Sequence, residues 1–364
     1  MCGCTEPAQQ VSSDSAKLPA TRFLSEGPDA DGYERVVSPR IFQFPQDHGS
    51  HSRYRTEWWY FTGNLENARG RHYGFQLTFF RYALKAGTSE RTSAWATSQA
   101  WMAHFALTDT DGDQFLADER FSREAIGLAG TQREPFRVWV ENWSATSEGT
   151  EFLPVHLKAS NENAKLDLTL ISGKPPITNG DRGMDRKGPE PGNASYYYSL
   201  TRLQAIGTVQ VGSLEEAVTG FAWMDREWGT STLSDDLEGW DWFSVQLSDN
   251  TEFMYYRLRR SDGSTSPYSG GSFIDVGGNR RPLGADTVLL TVLDRWKSPT
   301  SARTYPVTWQ LEIPDENLSL KVEPYLLQQE LNLTVRYWEG AMRATGLRNL
   351  QPVNGSGYLE LAGY

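Results

Sequence analysis

Apolar and polar residues alternate along most of this chain, in short runs that are separated by Gly, Pro, Asn and Asp. In residues 72–81 the apolar side chains fall on every second position: Tyr73, Phe75, Leu77 and Phe79. Residues 136–140 and 166–170 alternate in the same way, and a period of two is typical of a strand with one buried face. Helical periodicity is scarce. The pattern therefore predicts an all-β protein.

The chain also contains an internal repeat. Three pairs of segments match: 58–65 with 240–247, 207–211 with 340–344, and 218–225 with 353–360. Each half thus opens with an aromatic strand and closes with a strand in which a glycine precedes an aromatic residue. We interpret the halves as two tandem domains, residues 35–232 and 233–364. Each is expected to be a barrel whose last strand returns to its first, because closure removes unpaired sheet edges. A pair of sandwiches is the alternative.

Composition narrows the class of function. Asp and Glu (46) outnumber Lys and Arg (35), and the net charge is −11. Basic residues never occur in runs longer than two, so a nucleic acid partner is disfavoured by electrostatic repulsion. Aromatic residues make up 12% of the chain, which favours strands. No apolar stretch approaches the roughly 18 residues that a membrane-spanning helix needs.

Two cysteines stand in the first four residues, Cys2 and Cys4, and the remainder of the chain has none. Gly3 before Cys4 resembles the end of a lipoprotein signal, and residues 5–30 are small and polar, like a tether. We interpret residues 1–34 as a lipoprotein-like start and flexible tether, lipidated at Cys4 or Cys2. The protein is then expected in the bacterial cell envelope, held to a membrane by a lipid anchor, or else periplasmic or secreted. A wrongly assigned start with accidental cysteines is the alternative.

The candidate chemistry is acidic. The sequence has no nucleophile elbow and no phosphate-binding glycine loop, and its five histidines are not grouped as metal ligands, so we predict no cofactor and no metal. A carboxylate directly before tryptophan occurs three times: at Glu57-Trp58, at Asp225-Arg226-Glu227-Trp228 and at Asp241-Trp242. One interpretation is a buried ion-pair cluster in which Arg226, with Arg81 or Arg202, neutralises the carboxylates. The other is an apolar pocket that raises the pKa of one carboxyl and makes it a general acid.

Five segments carry a family resemblance: 47–65 (DHGSHSRYRTEWWYFTGNL), 103–105 (AHF), 187–199 (KGPEPGNASYYYS), 224–228 (MDREW) and 357–361 (GYLEL). In this order they resemble the AttH-like and carotenoid 1,2-hydratase-like family over about residues 40–364. The resemblance implies two tandem lipocalin-like, calycin-type β-barrels and, in many members, export. The hydratase branch has His-Asp-His-Asn-Trp-Gly in the fourth segment, so Arg226 stands where that branch has an assisting histidine. The chain therefore resembles the AttH-like branch.

We predict one site, in the first barrel and at its junction with the second. Three carboxylates are candidate catalytic groups: Asp225, Glu227 and Glu57. Six further residues are candidate ligand contacts: Trp59, Tyr60, His104, Tyr197, Arg226 and Trp228. The stretch 173–195, rich in Gly and Pro, is a candidate lid or binding loop because loops of this length are often functional, and a disordered insertion is the alternative.

Two functions fit these residues. An acid among aromatic side chains suits a hydratase, cyclase or isomerase acting on a prenyl-like or other apolar substrate, since aromatic faces stabilise carbocations. The alternative is a non-catalytic carrier of a hydrophobic small molecule. The enzyme requires a carboxyl that points into a cavity of about 300 Å³ or more.

Overall fold

The computed structural model describes residues 18–19, 31–87, 97–230, 233–234 and 236–364. Within these ranges the chain forms 24 strands and no α-helix. Three single-turn 3₁₀ helices complete the regular structure: Gln46–His48, Ala125–Gly127 and Pro314–Glu316. The all-β expectation is confirmed. In the described part of the chain, no helix has the length and apolar character needed to cross a bilayer.

The first sheet has 13 strands in the described residues. They are β2 (Thr56–Glu66), β3 (His72–Ala83), β4 (Gln99–Asp109), β5 (Gln114–Arg123), β6 (Ala129–Arg133), β7 (Phe136–Val140), β8 (Trp143–Ser147), β9 (Val155–Ser160), β10 (Ala164–Gly173), β11 (Ile177–Thr178), β12 (Met184–Arg186), β13 (Ala194–Val211) and β14 (Leu214–Gly229). Their order is β5-β4-β3-β2-β14-β13-β10-β9-β8-β7-β6, and β11 and β12 add to β13. The sheet curls until β3, β4 and β5 lie against β7, which gives a nearly closed barrel around one apolar core.

The second sheet contains the remaining 11 strands of the described residues. They are β1 (Leu18–Pro19), β15 (Leu237–Leu247), β16 (Glu252–Arg260), β17 (Gly270–Ile274), β18 (Arg280–Gly284), β19 (Leu289–Lys297), β20 (Thr304–Ile313), β21 (Leu318–Pro324), β22 (Glu330–Asn332), β23 (Val335–Arg348) and β24 (Gln351–Ala362). The order is β18-β17-β16-β15-β24-β23-β21-β20-β19, with β1 and β22 beside β23. This sheet encloses a second apolar core. The predicted tether thus contributes β1, whereas Cys2 and Cys4 lie outside the described residues.

The repeat is visible in the strand pairing. In each sheet the closing strand pairs antiparallel with the opening strand, β14 with β2 and β24 with β15. One segment match was wrong. Gly207 lies opposite Val218, and the glycine opposite Val353 is Gly346, so Gly346 rather than Gly340 is the counterpart of Gly207. The β23–β24 hairpin is shorter than the β13–β14 hairpin, and this difference displaced the alignment.

Two short parts of the stretch 173–195 are strands rather than irregular loop. Strands β11 and β12 pair antiparallel with β13, so they continue the first sheet beyond the end of β10. Lys187, which directly follows β12, is buried together with Asp185. The stretch therefore supplies buried charged side chains to the junction between the sheets.

Period-two alternation decides which side chains reach that junction. Along β2, Trp59 and Phe61 belong to the core of the first sheet, whereas Tyr60 points to the opposite face. There Tyr60 meets aromatic residues of the second sheet, among them Trp242 and Tyr256. Both faces of β2 are therefore buried, one inside its own sheet and one between the sheets.

Candidate active site

A cavity of about 120 Å³ lies between the two sheets. Its walls are mainly aromatic and carry four carboxylates: Asp225, Glu227, Glu339 and Glu360. The other lining side chains include Trp58, Tyr60, His104, Lys187, Tyr197, Trp240, Trp242, Tyr256 and Tyr337. The cavity is smaller than the roughly 300 Å³ expected for an enzyme, so the size expectation was wrong, whereas the expected carboxyl groups do line the cavity. Large aromatic rings occupy much of the space between the sheets. The cavity has room for a group about the size of one six-membered ring.

Asp225 on β14 is held by three neutral donors. Its Oδ2 accepts a hydrogen bond from the Tyr197 hydroxyl at 2.5 Å, and its Oδ1 accepts from Ser199 Oγ at 2.6 Å and from Trp223 Nε1 at 2.7 Å. Trp242 Nε1 donates to the Tyr197 hydroxyl at 3.2 Å, so the second sheet supports this arrangement. Burial raises the pKa of Asp225 to about 7 although the three hydrogen bonds favour the charged form. Near pH 7 the side chain is therefore able to give or take a proton.

Glu227, two residues further along the same face, has a cation beside it. Lys187 Nζ lies 3.0 Å from Glu227 Oε1 and 2.6 Å from Asp185 Oδ2, and Ser195 Oγ donates to Glu227 at 2.5 Å. The Lys187 ammonium also lies 4.6 Å from the centre of the Tyr256 ring. Burial raises the pKa of Glu227 above its ordinary value, although Lys187 acts in the opposite direction. Glu227 is thus an ion-paired carboxylate, in contrast to Asp225.

Glu339 and Glu360 of the second sheet were not predicted. They face each other across β23 and β24, and Trp240 Nε1 donates to Glu360 Oε1 at 2.7 Å. Burial and the neighbouring carboxylate raise the pKa of Glu339 well above its ordinary value, and burial raises the pKa of Glu360 to about 7. The repeat contained the signal for one of them, because Glu360 aligns with Asp225.

His104 reaches the cavity from β4. Its Nδ1 shares a hydrogen bond of 2.6 Å with the Tyr337 hydroxyl, and its Nε2 lies 3.9 Å from Glu119 Oε2. Burial lowers the pKa of His104 to about 3, so the imidazole is neutral at physiological pH. Among the described residues, no three His, Cys, Asp or Glu side chains are placed to hold a metal ion together.

Four residues predicted for the site lie elsewhere: Glu57, Trp59, Arg226 and Trp228. They alternate with Tyr60, Asp225 and Glu227 along β2 and β14, so their side chains point away from the cavity. Trp59 belongs to the core of the first sheet and donates from Nε1 to the His48 carbonyl at 2.8 Å. Trp228 stacks on His51 with ring centres 3.7 Å apart.

Glu57 and Arg226 instead form a buried ion-pair cluster with Arg81 at one end of the first barrel. Burial opposes the charge, but the two guanidinium groups hold the pKa of Glu57 well below its ordinary value. Arg202 takes no part, because it pairs with Glu252. Glu57 is therefore not a candidate general acid for the cavity, because its carboxylate remains ionised and faces the other side of the sheet.

Two consecutive antiparallel sheets, the first a nearly closed barrel around its own core, place the chain in the lipocalin-like class of all-β proteins. The AttH-like family model matches residues 35–364, and the chain belongs to the AttH-like family. A solved AttH structure from Nitrosomonas europaea has 32% sequence identity and a TM-score of 0.80, covering 91% of this chain and 99% of its own. The kievitone hydratase structure from Nectria haematococca has a TM-score of 0.69 at 16% identity, covering 93% of this chain and 98% of its own, and supports the fold alone.

Two further relatives are similar in sequence over part of their length. Kievitone hydratase of Fusarium solani subsp. phaseoli is 25% identical over 212 residues, which cover 56% of this chain and 58% of that protein. Dehydratase asqC of Emericella nidulans is 23% identical over 221 residues, which cover 58% of this chain and 57% of that protein. The chain thus spans a little under three fifths of the length of these relatives. One is named a hydratase and the other a dehydratase.

Proposed function

We propose that this protein adds water to, or removes water from, a largely apolar molecule held between its two sheets. One observation carries the proposal. Asp225, a buried carboxyl with a pKa of about 7, lines an aromatic cavity and is bonded only to neutral donors in the contacts described above. The names of the two hydratase and dehydratase relatives support the same reaction class.

In this proposal Asp225 is the general acid. In hydration its proton passes to one alkene carbon, and the positive charge that develops on the other carbon is stabilised by aromatic faces such as those of Trp58, Trp240 and Trp242. Water attacks that carbon and loses a proton to a carboxylate. Dehydration follows the same steps in reverse. Glu227 is less suited to donate, because Lys187 favours its ionised form.

The ligand would place a compact unsaturated or hydroxylated group in the cavity. A volume of about 120 Å³ admits about one ring, so the remainder of a larger molecule must lie outside this cavity. A prenyl-like chain end or a single ring with an apolar substituent meets this requirement. A non-catalytic carrier would use the same cavity but would gain nothing from a carboxyl that titrates near neutral pH.

Native mass spectrometry of the protein purified from its host tests the proposal by identifying any ligand bound in the cavity. That ligand and kievitone are then incubated with the protein in isotopically labelled water. We expect gain or loss of one water molecule, abolished in Asp225→Asn and retained in Asp294→Asn, which changes an exposed aspartate of β19. A bound ligand that is never transformed would overturn the catalytic proposal and leave the carrier. Full turnover by Asp225→Asn would overturn the assignment of Asp225 as the general acid.

A further inference from the structure

We propose that Glu339 and Glu360 form the oxygen-binding pair of this site and accept the proton that the water oxygen loses. The reaction step rests on the proposed function above. The binding of an oxygen atom rests on the geometry of the second sheet alone. Together with Asp225, the pair would make the site a composite in which the first sheet supplies the acid and the second sheet supplies the base.

The two glutamates are brought together by strand pairing. Glu339 and Glu360 are direct partners in the antiparallel register of β23 and β24, and their side chains project into the same cavity. Cβ atoms of facing residues in such a pair are about 5 Å apart, so each carboxyl group feels the charge of the other. Two carboxylates this close do not both ionise in a buried site, so the pair holds one proton and one negative charge.

Poorly satisfied oxygen atoms at Glu339 point to a place for a ligand. Neither carboxyl oxygen of Glu339 nor the hydroxyl of Tyr60 makes a hydrogen bond of ordinary geometry among the described residues, although Glu339 is only 1% exposed and Tyr60 only 6%. The Tyr60 and Tyr337 hydroxyls do lie near this carboxyl group and favour its charged form. Glu360 is better satisfied through Trp240. Buried polar atoms without partners are rare in folded proteins because leaving them unpaired is unfavourable. A hydroxyl group or a water molecule next to Glu339 would satisfy them.

The pair completes the proton balance of hydration. Asp225 gives its proton to carbon, so a C–H bond forms and the π bond breaks. The water oxygen bound at Glu339 then forms the C–O bond, and its O–H bond breaks as the proton passes to the carboxylate of the pair. Asp225 is left ionised and the pair is left with two protons. Exchange of one proton with solvent at each site restores the starting state.

A binding experiment tests the oxygen site without any turnover. Benzyl alcohol and toluene differ by one hydroxyl group, and each is about one ring in size, so calorimetry of both compares binding with and without the oxygen. We expect the preference for benzyl alcohol over toluene to fall about tenfold or more in Glu339→Leu, and in the same direction in the near-isosteric Tyr60→Phe. Glu238→Gln, at an exposed position of β15, is the control. It should keep the wild-type ratio of the affinity for benzyl alcohol to the affinity for toluene. An unchanged ratio in both cavity variants would refute the proposal.

Turnover tests the base separately. In Glu339→Gln and Glu360→Gln we expect kcat for the co-purified ligand or kievitone to fall by about 10²-fold or more, with KM changed only a few-fold. If the wild-type protein transforms neither compound, the proposed function fails and the binding ratio alone decides the oxygen site. If the wild type is active and both glutamine variants match it, the pair is not the base although the proposed function stands.

Discussion

Replacing Asp225 by asparagine removes one titrating group from the junction between the sheets while keeping a side chain of the same shape. The folded protein holds the pKa of Asp225 at about 7, against an ordinary value of 3.8. The unfolded chain therefore releases this proton at a lower pH than the folded chain does. The side chain consequently contributes to stability below about pH 4, and the contribution is lost as the pH rises towards 7.

The difference between the two pKa values corresponds to about 4 kcal/mol of unfolding free energy at about pH 8. About 3 kcal/mol of this loss falls between about pH 5 and pH 8, where most proteins can be handled. Asp225→Asn has no charge to bury. Relative to the wild type, the variant should therefore gain about 3 kcal/mol over that range, whatever its stability at the acidic end.

Urea unfolding at a series of pH values, followed by circular dichroism, measures this difference directly. Asp294→Asn is the matched control, because it makes the same chemical change at an exposed position of β19. For Asp294→Asn, the plot of unfolding free energy against pH should stay parallel to that of the wild type. If the Asp225→Asn curve also stays parallel between pH 5 and pH 8, then Asp225 does not titrate in this range and cannot serve as a general acid near neutral pH.

Three further outcomes are expected. Arg226→Met should lower the unfolding free energy by about 3–5 kcal/mol in thermal or urea unfolding, because Glu57 keeps a buried charge with one partner removed. Wild-type stability in this variant would contradict the ion-pair role. Lys187→Met should destabilise the protein more at pH 8 than at pH 5, because Glu227 loses its cation and its protonation at low pH removes the unpaired charge. Equal destabilisation at both pH values would contradict the pairing of Lys187 with Glu227. Membrane fractionation should show the full gene product in the membrane fraction and a double Cys2→Ala, Cys4→Ala variant outside it, and an unmodified protein in the soluble fraction would refute the lipid anchor.

The existence of the strands follows from patterns that are local in the sequence. Alternation over a few residues predicts strands, since neighbouring side chains must point to opposite faces of a sheet. The repeat predicts in addition that the last strand of each half pairs with its first strand, as β14 pairs with β2. The same alternation places Asp225 and Glu227 on the opposite face of β14 from Arg226 and Trp228, although all four residues were predicted for one site.

Which face of each strand belongs to the site was decided only by packing. Both faces of β2 are buried, so Trp59 in the barrel core and Tyr60 at the junction have the same aromatic character in the sequence. Glu57 next to tryptophan therefore suggested a catalytic acid, although it pairs with two arginines inside the barrel.

Proximity between distant residues also came from the tertiary structure. Glu339 and Glu360 lie more than 100 positions after Asp225, and no local pattern brings them together. They share one cavity only because the outer face of the first sheet packs against the second sheet. Burial in that junction then raises the pKa values of all three carboxyls, so their chemistry depends on an environment that neither half of the chain forms alone.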